Sequence, residues 1–179
     1  MNETSRPDPR WYHSSGGVRW DHMYMRADPS GGYIGYVVSA PLNASAFAPT
    51  WPGVMRSEDG IAWKAHAPLN VSWGGMVPQG IEEGGVEKLT LSDGSSRFFL
   101  IGGQGGHGSC YSMWAFSSAR SDAGFSPVQH RFRLSGGGGP RQGWGNCYMN
   151  GALAVWARGP NKELLLSQYM TARGGSAAR

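Results

Sequence analysis

Two of the few acidic side chains in this sequence stand side by side. Glu82 and Glu83 fall in GIEEGGVEKL, Gly80 to Leu89, and a pair of glycines follows them. Only 12 residues are Asp or Glu, so an adjacent pair asks for a local reason. A carboxyl whose pKa is raised by burial or by a second carboxylate can donate and accept protons near neutral pH. Side chains alternate along a strand, so only one of two neighbours can face a given surface. On that reading one glutamate works and the other supports it, while Gly84 and Gly85 let a substrate or another backbone come close. An exposed acidic turn with no role accounts for the same residues equally well.

Other candidates are weaker taken singly. Asp28 lies in MRADPSGG, where Asp-Pro before Gly-Gly is ordinary turn chemistry. Asp21 and His22, in WDHMYM, suit the lining of a channel or the end of a strand. Trp20, Trp73, Trp114, Trp144 and Trp156 are numerous enough for one or two to stack on a sugar ring, the rest packing the core. The glycine runs GGQGGHG and SGGGGPRQG lack the strand–loop–helix order of phosphate loops and read as loops. His13, His22, His66, His107 and His130 show no metal-ligand spacing, and no cofactor is expected.

The elements that would hold these residues are strands. Three similar two-strand units recur: Met23 to Val38, Val86 to Gly103 and Leu153 to Met170. Each has an alternating strand, a Gly, Pro or Asp turn and a second apolar strand. The second strands are expected to begin at Tyr33, Phe98 and Leu164, at nearly equal intervals along the chain. RSEDGIAW, from Arg56, and RSDAGF, from Arg120, repeat an Arg-Ser-acid turn at almost the same interval. Two inner strands, a loop and an outer hairpin make four strands per unit, the plan of a propeller blade. A β-sandwich also has short alternating strands, but it gives no reason for turns to recur at constant spacing. The expected fold is therefore all-β and propeller-like. It comprises residues 20–170, preceded by an extension (1–19) and followed by a tail (171–179) expected to be disordered. Just under three units leave a ring of at least four blades open, which predicts a piece of a larger protein or self-association through exposed strand edges.

Composition narrows the classes. The 179 residues include 29 Gly but also 8 Trp, 7 Tyr and 6 Phe, and disordered chains are poor in aromatics. The net charge of +4 comes from scattered basic residues without a run of five, so no nucleic-acid partner is expected. No apolar stretch reaches the length of a membrane helix, and MNETSRPDPR has no apolar signal core. Cys110 and Cys147 have no paired spacing and read as buried free thiols, with a single disulfide between them the alternative. Sequons begin at Asn2, Asn43 and Asn70, a pattern common by chance.

Taken together, the repeated units, Arg26-Ala27-Asp28-Pro29 and Glu82-Glu83-Gly84-Gly85-Val86-Glu87-Lys88 resemble the five-bladed β-propeller glycoside hydrolases of families 32, 43 and 68. The first segment is similar to their Arg-Asp-Pro motif with one residue inserted. The second is similar to Glu-x-Pro-x-apolar-x-Lys with Gly in place of Pro. SEDGIAW is similar to their outer-hairpin turn. The resemblance covers roughly Trp20 to Met170 and implies about three blades, two to four, of a five-bladed ring. It implies hydrolysis of an O-glycosidic bond in a fructoside, arabinoside or xyloside. Glu82, which opens a strand in the unit after that of Asp28, would be the general acid, with Glu83 the alternate. Asp28 would steady the oxocarbenium-like state. Arg26, Asp21, Trp20 and His22 would bind the carbohydrate partner. The family's third carboxylate has no counterpart upstream of Trp20. The alternative function is a carbohydrate-binding or scaffolding propeller without catalysis.

Overall fold

The computed structural model describes residues 6–15, 19–44, 51–72, 82–104, 112–128, 133–136, 155–158 and 164–167, some by backbone alone. Cys110, Cys147, Asn2, Trp73, Trp144, His107, His130, most of both glycine runs and the tail 171–179 lie outside them. The described residues form strands and turns, without a helix. No helix among them is long and apolar enough to cross a membrane.

Alternating apolar residues with turn glycines between them produce hairpins, and three appear where the units predict them. Strand β1 (Asp21–Ala27) pairs with β2 (Tyr33–Ser39), which pairs with β3 (Trp51–Ser57), which pairs with β4 (Lys64–His66). Strand β5 (Glu82–Thr90) pairs with β6 (Ser96–Gln104) and β6 with β7 (Ser112–Ser118). The fourth place in this second sheet is divided between β8 (Ser126–Pro127) and β9 (Arg133–Gly136), which meet different halves of β7. The third hairpin is β10 (Val155–Arg158) with β11 (Leu164–Ser167). All ladders are antiparallel, and the two large sheets wind in chain order without closing.

The first two hairpins turn through the same kind of loop. Asp28 N–H donates to Gly32 O at 2.9 Å and Gly31 N–H to Asp28 O at 3.0 Å. Leu91 N–H donates to Ser95 O at 2.8 Å and Gly94 N–H to Leu91 O at 3.0 Å. The spacing of the second strands differs from expectation, because Ser96 and Arg97 already pair with Thr90 and Leu89. Strand β6 thus starts at Ser96 rather than Phe98, and the starts at Tyr33, Ser96 and Leu164 are less evenly spaced than the apolar pattern suggests. Gly32 holds φ +68°, and a Cβ there would run into the Ser57 carbonyl oxygen. Gly32→Ala is therefore expected to destabilise the fold by about 2 kcal/mol, read from the shift in a urea midpoint.

The two large sheets pack face to face. Ile34, Tyr36 and Val54 from the first meet Val86, Phe98, Leu100 and Phe116 from the second, joined by Leu69, Val71 and Phe125. Burying each large apolar side chain contributes roughly 1.5–3 kcal/mol. Val37, Met55 and Trp63 form a smaller cluster, with Trp20 and Met23 against it. Tyr12 ties residues 6–15 to the first sheet: its hydroxyl donates to His66 O at 2.6 Å and accepts from Val54 N–H at 3.1 Å.

The packing fixes direction. Tyr24, in the middle of β1, donates its hydroxyl to Glu87 Oε1 in β5 at 2.5 Å. Further along β1, the Arg26 guanidinium lies 5.1 Å from the Phe98 ring centre, and Phe98 is the partner of Lys88. The first strands of the two sheets therefore run the same way.

Candidate functional site

Parallel first strands divide the expected site residues between two ends. Trp20, Asp21 and His22 stand at the start of β1. Glu82 and Glu83 are the first two residues of β5, opposite Gly103 and Gly102. Asp28 follows the last residue of β1. From the Tyr24–Glu87 bond, Asp28 lies four residues one way and Glu82 five the other. At about 3.3 Å per residue that is roughly 25–30 Å along the strands. The structure thus does not bring Asp28 and Glu82 into reach of one sugar ring. It does set Glu82 and Glu83 at the same end as Trp20, Asp21 and His22.

Both first strands carry an irregularity at that end. In β1, Asp21 pairs with Val38 but Met23 with Val37, so His22 is the extra residue of a bulge. In β5, Glu83 pairs with Gly102 but Gly85 with Ile101, so Gly84 is the extra residue. Gly85 sits at φ 149°, open to glycine and unfavourable to others. This explains the Gly-Gly pair after the glutamates. A bulge bends the strand and redirects the side chains that precede it. Asp21 is exposed and held by Arg19, with Nη2 to Oδ1 at 2.7 Å and Nε to Oδ2 at 2.9 Å.

At the opposite end Asp28 is built into the scaffold. Its side chain is 3% exposed. Oδ1 accepts from Ser30 N–H at 3.0 Å and Ser30 Oγ–H at 2.8 Å, and Oδ2 accepts from the Arg56 guanidinium. Burial alone raises the Asp28 pKa, but the Ser30 hydrogen bonds and the Arg56 charge together outweigh it, and the net shift is downward. Arg56 reaches on to Asp122 at 3.0 Å, and Asp122 is bound in turn by Arg120 at 2.9 Å. The two Arg-Ser-acid segments do not occupy equivalent places, since Arg56 lies within β3 and Arg120 beyond the end of β7. They meet instead, and the second supplies the carboxylate that Arg56 of the first receives. Tyr36 joins them by donating its hydroxyl to Ser121 O at 2.8 Å.

Arg26 faces the interior between the sheets, and its Nη1 is buried without a hydrogen-bond partner among the described residues. Glu87, which the sequence leaves as one residue of an alternating run, is 9% exposed. Burial, and then its hydrogen bond to Glu87, push the Tyr24 hydroxyl far above the ordinary tyrosine pKa. This bond joins the two first strands midway between the ends. No sequence signal marks it, because a glutamate in an alternating strand reads as a solvent-facing residue. Among the described residues no three His, Cys, Asp or Glu side chains gather as a metal site. Comparisons with protein-family models, with curated proteins and with solved structures found no match.

Proposed function

We propose that this chain is part of a carbohydrate-active propeller of the glycoside hydrolase type, working at the bulged ends of β1 and β5. One observation carries the reading: two first strands, packed in the same direction, each carry a bulge next to the candidate residues at the same end. Bulges concentrate beside active sites because they re-aim side chains without unravelling the sheet. In this reading Glu82 is the general acid, and Glu83 is its alternate. The Glu82 proton goes to the leaving glycosidic oxygen as the anomeric C–O bond breaks, and water adds to the anomeric carbon and releases a proton that restores the acid. Asp21 keeps the carbohydrate-binding role expected of it, and Trp20 and His22 flank it in the chain. Asp28 then serves the scaffold through Arg56.

Glu82→Gln in this chain tests the acid. Hydrolysis of unactivated xylo-, arabino- or fructo-oligosaccharides should fall about 10²–10⁴-fold, while aryl glycosides with good leaving groups are still cleaved. Equal loss on both substrate types would remove Glu82 from this role. A second reading, sugar binding without hydrolysis, is favoured by the commitment of Asp28 to Ser30 and Arg56. Binding of those oligosaccharides without any turnover would establish it over the first.

A further inference from the structure

At the same end of the first sheet, two strand positions out from β1, a cleft of about 520 Å³ opens between the start of β3 and the chain that follows β4. That size is typical of small-molecule sites. Its walls are Trp11 and Trp51, with Leu42, Asn43, Asn70 and Arg10 around them. We propose that this cleft is a saccharide-binding subsite, taking an uncharged sugar unit of an oligosaccharide whose neighbouring units reach the ends of β1 and β5. The inference rests on the carbohydrate reading above, though not on hydrolysis.

Three properties select a neutral, hydroxyl-rich ring. First, the walls are indoles. Trp11 is 38% exposed, the one tryptophan among the exposed large apolar side chains described. An exposed indole face offers the apolar platform on which the C–H face of a sugar packs. Second, the polar groups are amides. The Asn43 and Asn70 side chains are exposed and make no hydrogen bond among the described residues, and a primary amide both donates to and accepts from hydroxyls. Third, no unpaired charge lines the cleft among the described residues. Arg10 is held by Asp8, with Nη2 to Oδ2 at 2.6 Å and Nε to Oδ1 at 3.1 Å. The Asp8 carboxylate beside that guanidinium makes the cleft less attractive to a phosphate or carboxylate ligand than an unpaired cation would.

The ring of one wall and the backbone of the other are set before a ligand arrives. Trp51 Nε1–H donates to Leu69 O at 2.7 Å, which fixes its ring. Trp11 is held through its backbone, N–H to Asp8 O and carbonyl from Leu42 N–H, both at 2.9 Å. Fixed walls lower the ordering cost of binding. The start of β3 is two ladder positions from β1, roughly 10 Å. Adjoining units of one oligosaccharide can cover that gap.

Calorimetric titration of the full chain with xylohexaose, arabinohexaose, cellohexaose and an inulin-type fructan tests the subsite. At least one should bind, with affinity falling about tenfold or more in Trp11→Ala. Trp11→Phe should retain most of the affinity, and Asn70→Ala should lose part of it. A melting curve checks that each variant is folded, and Asn70→Ala, at an exposed position, carries the test if Trp11→Ala is not. Failure of all four sugars to bind, or unchanged affinity in both Trp11→Ala and Asn70→Ala, overturns the proposal. Binding that depends on Trp11 in a chain without hydrolysis overturns the acid role of Glu82 and leaves the subsite standing.

Discussion

Arg56→Ala is expected to lower stability by about 3 kcal/mol, one of the two largest single effects this fold predicts. The Asp28 side chain, 3% exposed, would keep its Ser30 bonds and lose its counter-charge. Removing one partner of a buried pair is costly because the other is left desolvated and uncompensated. Asp122 would lose the same guanidinium, although Arg120 still reaches it. Arg56→Lys should recover only part of the loss, since one ammonium cannot bridge two carboxylates as the planar fork does. Chemical denaturation of the parent and both variants provides the measurement, and a change below about 1 kcal/mol in Arg56→Ala would show that the network adds no more than a surface pair does.

The pH dependence follows with a definite sign. The folded Asp28 carboxyl titrates below its unfolded value. Its contribution is therefore complete above the ordinary aspartate pKa of about 3.9, and is lost as the pH falls below that through the folded value. In Arg56→Ala the effect of burial, which acts upward, is opposed by fewer groups. The midpoint of acid unfolding should therefore move to higher pH. An unchanged midpoint would mean that the guanidinium has little to do with the ionisation of Asp28.

The hairpins were legible because period-two alternation and turn glycines are local. DPSGG and SDGS mark their loops whatever the surroundings, and the backbone bonds of both loops agree. The assignment of Asp28 fared differently for a physical reason. Spacing along a chain shows how far apart two residues are in sequence, but not that two first strands will stack in the same direction. Once they do, a residue at the end of β1 and one at the start of β5 are separated by the length of the sheet. The Gly84–Gly85 pair did carry a readable signal, and it belongs to a bulge. The bulge at His22 has no such mark. The Arg-Ser-acid repeat was visible, but recurrence suggested equivalent positions, whereas opposite charges allowed the two copies to meet. Trp11 and the paired Asp8 and Arg10 fall in the stretch read as an extension, where no periodic pattern draws notice.

Phe125→Ala should be as damaging as Arg56→Ala or more so, because Phe125 joins the two sheets twice. Its ring is 0% exposed within the shared core. Its backbone bridges to Val71, with Phe125 N–H donating to Asn70 O at 3.0 Å and Ser72 N–H to Phe125 O at 2.7 Å. Truncation keeps the backbone bonds and removes the ring, leaving a cavity at the seam. Such a change costs about 3–5 kcal/mol, or roughly a 10 °C fall in melting temperature for a chain of this size. The form of the transition matters as much as its position. If the core shared by the sheets makes them one cooperative unit, unfolding followed by tryptophan fluorescence and by far-ultraviolet dichroism will coincide in parent and variant. If the sheets are separable, the variant will show two transitions, with the second sheet melting first because its fourth strand place is split between β8 and β9. The first outcome also bears on function, since a site built from the ends of β1 and β5 keeps its geometry only while the two sheets remain locked together.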